Sequence, residues 1–155
     1  MAIVTLPSQF FMVAGKGDSE YALNAFDLAL LDAGIGNLNL IKVSSILPPS
    51  VQEVEPVQFP PGELISIAYA EKTSHIKGEI IAAAVAVAIP QNKNHNGLIM
   101  EHSGAGTAKE IEEIVRNKAE IGMKYRNYKI KEIKSVSIEH TTINIGAVIA
   151  GVVLF

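Results

Sequence analysis

Glu79-Ile80-Ile81-Ala82-Ala83-Ala84-Val85-Ala86-Val87-Ala88-Ile89 opens on one charged residue and continues without a polar side chain. A short apolar run rich in β-branched residues and bounded by turn signals reads as a strand. The run shows no alternation of polar and apolar positions, so both faces of this strand need cover. Cover on both faces calls for further layers above and below it, which decides the class of fold.

Outward from this strand, polar turns at residues 73–78 and 91–96 separate it from strands predicted at 64–70 and 97–101. Thr107-Ala108-Lys109-Glu110 forms a capping box that opens a helix running to about Tyr125, with Ile111, Ile114, Val115 and Met123 on one face. Strands at 130–139 and 146–155 follow. Toward the amino end, residues 9–14 read as a strand and Gly15-Lys16-Gly17-Asp18 as a turn. Ser19 caps a helix to Ala33, with Gly34 as its stop. Residues 37–47 read as one strand entering Pro48-Pro49, where the chain stiffens, and residues 50–62 as a loop. The order strand, helix, strand, three strands, helix, two strands predicts an α+β fold. The expectation is a layered αββα-type sandwich with mixed or antiparallel β-sheets and two main helices, in a single domain over residues 1–155.

Hydrophobic residues make up 48% of the chain and charged ones 19%, more apolar surface than one small domain covers alone, so a homo-oligomer is expected. The net charge of −3, with no stripe of Lys and Arg, argues against a nucleic-acid partner. The longest apolar runs, 80–89 and 145–155, are too short to span a bilayer, which takes about 20 residues. The first residues, Met-Ala-Ile-Val-Thr-Leu-Pro, lack a basic n-region and do not read as a signal peptide, so a cytoplasmic protein is expected. With no cysteine, disulfides, thiolate metal sites and thiol nucleophiles are all excluded.

Several short motifs have plain explanations. Gly34-Ile35-Gly36 follows a helix and enters a strand, the reverse of a dinucleotide-binding loop, and Gly104-Ala105-Gly106 lacks the Lys-Ser/Thr pair of a phosphate loop. Glu101-His102 and Glu139-His140 could supply metal ligands, but neighbours on a strand point to opposite faces, and no metal site is expected. His75 and His95 fall in polar turns. Asp27 has Leu23, Leu30 and Leu31 as its helical neighbours, which puts a carboxylate at the edge of an apolar face while Asp32 projects into solvent. Such an acid needs a partner, and a structural ion pair would serve as well as a ligand. Glu101 ends a strand before a loop of small residues, where an acid can project into a cleft. Ser44-Ser45, taken alone, are two ordinary strand residues.

In combination these residues carry a resemblance. Leu23-Asn24-Ala25-Phe26-Asp27, Ala33-Gly34-Ile35-Gly36-Asn37-Leu38-Asn39-Leu40-Ile41 and Val43-Ser44-Ser45-Ile46-Leu47-Pro48-Pro49 resemble the pyruvoyl-dependent arginine decarboxylases. Ala88-Ile89-Pro90, Gly97-Leu98-Ile99-Met100-Glu101 and Ser137-Ile138-Glu139-His140-Thr141 continue the likeness in the same order, from about Ser8 onward. The resemblance implies a precursor cleaved after Ser44 into residues 1–44 and 45–155, with Ser45 converted to a pyruvoyl group. It also implies a Schiff base between that group and the substrate amine, Glu101 as the proton donor, Asp27 as the partner of the guanidinium and Asn39 as a processing residue. Pyridoxal phosphate and metal are not expected, and the assembly implied is a homotrimer with sites between subunits, acting on arginine to give agmatine and CO₂. Pro48-Pro49 would hold the backbone strain that favours the cut.

On one straight strand, Asn39 and Ser45 share a face but stand about 20 Å apart, at roughly 3.3 Å per residue. They can serve one site only if the strand bends or if the site lies between symmetry-related chains. Two other readings stay open: a pyruvoyl decarboxylase for a different amino acid, and an oligomeric scaffold or binding protein that does not process itself.

Overall fold

The computed structural model describes residues 6–155; residues 1–5, which belong to the segment read above for a signal peptide, lie outside the described residues. The chain runs through β1 (Gln9–Ser19), α1 (Ala22–Asp32), β2 (Asn39–Lys42), β3 (Ile46–Leu47), β4 (Gln52–Glu53) and β5 (Leu64–Ser74). It continues through β6 (Ile80–Pro90), β7 (Gly97–Ala105), α2 (Ala108–Tyr125), β8 (Ile130–Thr141) and β9 (Ile145–Leu154). These strands form a five-stranded sheet ordered β2-β5-β9-β1-β4 and a four-stranded sheet ordered β3-β7-β6-β8. The four-stranded sheet is antiparallel throughout. The other is mixed, because β2 pairs with β5 and β4 with β1 in parallel.

The apolar strand β6 lies between β7 and β8, and every residue from Ile81 to Ala88 is fully buried. Its two faces divide by size. Ile81, Ala83, Val85 and Val87 meet Ala68, Ala70, Val148, Ala150 and Val152 of the other sheet, whereas Ala82, Ala84, Ala86 and Ala88 meet Ile111, Val115, Ala119 and Met123 of α2. Ile and Val from β6 reach into the inter-sheet layer, and its all-alanine face lets the helix approach closely. Each fully buried Val or Ile there contributes about 1.5–3 kcal/mol. On the other side, Ala25 and Ala29 of α1 sit on Ala147 and Ile149 of β9. The layers therefore run helix, sheet, sheet, helix, the expected αββα sandwich. Among the described residues, no helix is long and apolar enough to cross a membrane.

Several local readings need correction. Gly15 and Gly17 belong to β1, not to a turn: a Cβ at either would come within 2.1 Å of the Ala29 carbonyl or 2.4 Å of the Ala25 carbonyl, so they are the strand's contact surface for α1. The helix accordingly starts later, with Tyr21 as a cap that makes no side-chain hydrogen bond. Residues 37–47 split into β2 and β3, which lie in different sheets. The 50–62 loop contains β4, and β5 and β7 each run four residues further than expected. The capping box on α2 forms as read, with the Glu110 carboxylate accepting from the Thr107 amide, although Ile114 is 40% exposed and lies off the buried face. Gly34 takes the left-handed conformation that ends α1, at φ +81°.

Candidate active site

Ser44 and Ser45 sit where the chain leaves one sheet for the other. Asn39, Leu40, Ile41 and Lys42 pair with Leu64, Ile65, Ser66 and Ile67 in the five-stranded sheet, and the Val43 amide extends that ladder to the Ile67 carbonyl at 3.0 Å. Two residues on, the Ser45 carbonyl accepts from the Ile99 amide at 2.7 Å, and Ile46 and Leu47 pair with Leu98 and Gly97 of the four-stranded sheet. Ser44, between these anchors, is exposed and makes no backbone hydrogen bond among the described residues. Downstream, Leu47 and Pro48 are buried. Ser50 then holds a left-handed conformation at φ 64°, with its hydroxyl donating to the Lys93 carbonyl. A non-glycine residue in that region stores strain of about 1–3 kcal/mol, which these contacts offset. The peptide bond between the serines thus lies in the unpaired link between the two sheets.

Glu101 lies on the strand that takes up Ser45. Along β7, Leu98 and Met100 face α2 while Ile99 faces the inter-sheet cluster, and the Ser103 hydroxyl reaches across to the Glu71 carbonyl of β5 at 2.6 Å. By this alternation Glu101 projects into the gap between the sheets. It is half-buried there, at an edge that β3 covers only as far as Leu98. Burial pushes the Glu101 carboxyl above its usual range, and the ammonium groups of Lys42 and Lys118 pull it partly back. Lys118 is itself engaged on the α2 side, 2.9 Å from His102 Nδ1. Burial, and then that same ammonium, lower the pKa of the imidazole. Lys42 rests 4.5 Å from the centroid of the Tyr69 ring. A half-buried carboxyl with a raised pKa is suited to giving a proton near neutral pH.

The other two expected site residues are elsewhere in the same chain. Asn39 donates its side-chain amide to the Gly62 carbonyl at 2.9 Å, which ties the start of β2 to the 60–62 turn. Asp27 is exposed on the outer face of α1, among Leu23, Leu28 and Leu31, which are 78%, 43% and 47% exposed. Asp32 is exposed, as expected, and also accepts from the Lys16 amide at 2.9 Å. Ile149 of β9 meets α1 while Val148 and Ala150 meet the other sheet, so α1 and the inter-sheet gap lie on opposite sides of the five-stranded sheet. Within one chain, Asp27 and Glu101 are therefore not brought together. Lys42, Tyr69 and Lys118 escaped the sequence reading. Only the closeness of Lys42 to the serine pair hinted at them, because their contacts join strands and a helix distant in sequence.

A family model described as pyruvoyl-dependent arginine decarboxylase matches residues 9–155. A protein of that description from Methanococcus aeolicus is 51% identical over 149 residues, covering 96% of this chain and 90% of the relative. Its counterpart from Methanocaldococcus jannaschii is 44% identical over 154 residues, covering 99% and 93%. That from Pyrococcus abyssi is 42% identical over 154 residues, covering 97% of both chains.

Proposed function

The chain belongs to the pyruvoyl-dependent arginine decarboxylase family, and on that premise we propose that it cuts itself between Ser44 and Ser45 and converts L-arginine to agmatine and CO₂. The observation that carries the cut site is the sheet crossing: the 44–45 bond is the unpaired link between an anchor on Ile67 and an anchor on Ile99.

In the cut, the Ser45 hydroxyl adds to the Ser44 carbonyl carbon and the Ser45 nitrogen takes the proton, so an ester replaces the amide. Loss of the Ser45 α-proton then expels the Ser44 carboxylate, leaving dehydroalanine, and water displaces the nitrogen as ammonia to give the keto group. The smaller product, 1–44, keeps β1, α1 and β2; the larger, 45–155, keeps every other element. Ser45 stays on β7 beside Glu101 through its carbonyl, which suits a keto group that has to be held still. The pyruvoyl group supplies an electrophilic carbonyl that engages the substrate amine and takes up the electron pair left when CO₂ departs.

The chain's own residues do the rest. Glu101, whose half-buried position raises its affinity for a proton, gives that proton to the substrate carbon that lost CO₂. Asp27 presents two carboxylate oxygens to the planar guanidinium, a match that favours a cationic side chain over a neutral or acidic one. Because Asp27 faces away from Glu101 in its own chain, it serves the site of a neighbouring copy. The assembly is a homotrimer closed by rotation, with each site between two subunits and with Leu23, Leu28 and Leu31 covered at that contact. Asn39 spends one N–H of its amide on Gly62 and keeps a second, available to the oxyanion of the cut across the same boundary.

Agmatine formation from arginine, measured beside ornithine, lysine, histidine and aspartate, tests the substrate. Arginine should lead by orders of magnitude, and turnover of another amino acid in its place would transfer the reading to that substrate.

A further inference from the structure

Glu101 faces the gap between the sheets at a place where neither neighbouring strand is covered along its edge. β2 pairs with β5 only as far as Ile67, and β3 pairs with β7 only as far as Leu98. Beyond them, the Ile67 carbonyl accepts from the Val43 amide and the Ile99 amide donates to the Ser45 carbonyl. By alternation along each strand, the backbone groups of Tyr69 and Glu71 on β5, and of Glu101 and Ser103 on β7, then point outward past the ends of β2 and β3. Edge groups left unpaired bind water and give the two strands no hold on each other. One side chain supplies that hold. The Ser103 hydroxyl donates to the Glu71 carbonyl at 2.6 Å, the one hydrogen bond that joins β5 to β7 among the described residues. The opening is therefore closed on one side by the Ser45–Ile99 bond and on the other by Ser103–Glu71, about 13 Å apart along β7 at roughly 3.3 Å per residue. Glu101 stands midway, on the same face of the strand as Ser103.

We propose that Ser103 is a positioning residue for the proton-donating step: by clasping the Glu71 carbonyl it keeps the free edges of β5 and β7 together and holds the Glu101 carboxyl at its half-buried depth. This rests on the reading of Glu101 as the proton donor given above. A carboxyl's hold on its proton rises with burial, so the depth at which Glu101 sits sets the pH range in which it can give that proton. The clasp joins a hydroxyl to a backbone carbonyl, so it carries no charge of its own and does not titrate. The ionisable groups around Glu101 do not perform this task. On β5, Glu71 is exposed, and Lys72 is partly buried on the face that Ala68 and Ala70 turn toward the gap. Lys42 of β2 rests on the Tyr69 ring, and Lys118 of α2 is engaged by His102 on the far face of β7. β6, which stands opposite Glu101 at Val85, and β9 carry no charge. None of these side chains hydrogen-bonds from β5 to β7 among the described residues, whereas Ser103 does.

The test compares Ser103→Thr, which keeps the hydroxyl, with Ser103→Val, which has the same shape without it, and with Ser103→Ala, which adds no bulk. Each is made with Glu101 intact and with Glu101→Gln. Cleavage is read by denaturing mass analysis, folding by thermal melting, and kcat and KM are followed across pH. Ser103→Val and Ser103→Ala should still be cut and should lose about fivefold in kcat, the worth of one hydrogen bond, with KM for arginine little changed. Both should move the high-pH limb of kcat down by about half a pH unit, as water reaches the Glu101 carboxyl. Ser103→Thr should stay near the parent in both respects. With Glu101→Gln, none of the three should cost anything further. A limb that stays in place in Ser103→Val and Ser103→Ala, equal kcat for the Thr and Val variants, the same loss with Glu101→Gln, or chains that no longer cut themselves would each overturn the proposal. The underlying assignment of Glu101 fails separately, if Glu101→Gln alone leaves kcat intact.

Discussion

The Ile99 amide donates to the Ser45 carbonyl at 2.7 Å, which pins the second serine to the strand carrying Glu101 two residues further along. The residue before the pair, Val43, is pinned just as firmly to Ile67 in the opposite sheet. A bond flanked on both sides by residues tied to separate sheets is constrained at both ends, which limits how far it can relax.

That arrangement predicts what becomes of the pieces. The 1–44 fragment keeps β1, which pairs with β9 from Phe10 to Ser19 on the 45–155 fragment, and β2, which pairs with β5. The two chains should therefore travel as one particle under native conditions and separate only in denaturant. Size-exclusion chromatography before and after unfolding checks this, and spontaneous separation of the fragments would contradict it.

Glu101→Gln should leave the cut intact and reduce kcat by about 10²–10⁴-fold, the usual cost of losing a general acid. In the parent protein the acid works protonated, and burial raises its pKa, so kcat should persist above the ordinary carboxylate range and fall as pH passes the raised value. A kcat profile that instead falls on the acid side of that value would assign Glu101 a role as base.

Asp27→Asn should raise KM for arginine by roughly 10–100-fold, corresponding to the loss of a charge-assisted contact of about 1.5–3 kcal/mol, and leave cleavage unaffected. Because Asp27 and Glu101 lie on opposite sides of one sheet, the two changes should complement. Chains carrying Asp27→Asn, co-expressed with chains carrying Glu101→Gln, should regain activity at low arginine through sites that draw one intact residue from each. Absence of recovery would place both residues in one chain's site.

Asp18 binds the β8–β9 turn to the end of β1, accepting from His140 Nε2 at 2.7 Å, from the Ile143 amide at 2.9 Å and from the Asn144 amide at 2.8 Å. Desolvation works against the carboxylate, but the hydrogen bonds from His140, Ile143 and Asn144 outweigh it and hold its pKa below the ordinary value of 3.8. A depressed folded pKa means that the stabilisation is complete above the unfolded value and is lost as pH falls through the folded one. Asp18→Asn should cost about 1–3 kcal/mol at neutral pH, and its gap from the parent should narrow in strong acid. Denaturant unfolding at the two extremes measures both.

Much of this architecture could be read from the chain because some signals are local. The apolar run of β6 says that both faces are covered whatever covers them, and Thr107 with Glu110 marks a helix start by chemistry confined to one turn. The misreadings share the opposite property. Gly15 and Gly17 look like turn residues until α1 is laid on them, and nothing within residues 37–47 says that its halves have partners in different sheets, since those partners, Leu64 and Leu98, lie far along the chain. Asp27 was legible as an acid among leucines but not as an outward-facing one, because periodicity gives the spacing of a face and not the identity of what covers it. Ser44, Ser45 and Glu101 were legible only in combination.

The account stands most directly on the mass of the purified protein under denaturing conditions, before and after prolonged warm incubation. It predicts two polypeptides that meet between Ser44 and Ser45, the larger beginning with a group that reacts as a ketone and lacks a free amine, and a single uncut chain when Ser45 is replaced by alanine. One intact polypeptide of 155 residues from the parent sequence, unchanged by incubation and unreactive toward carbonyl reagents, would contradict it.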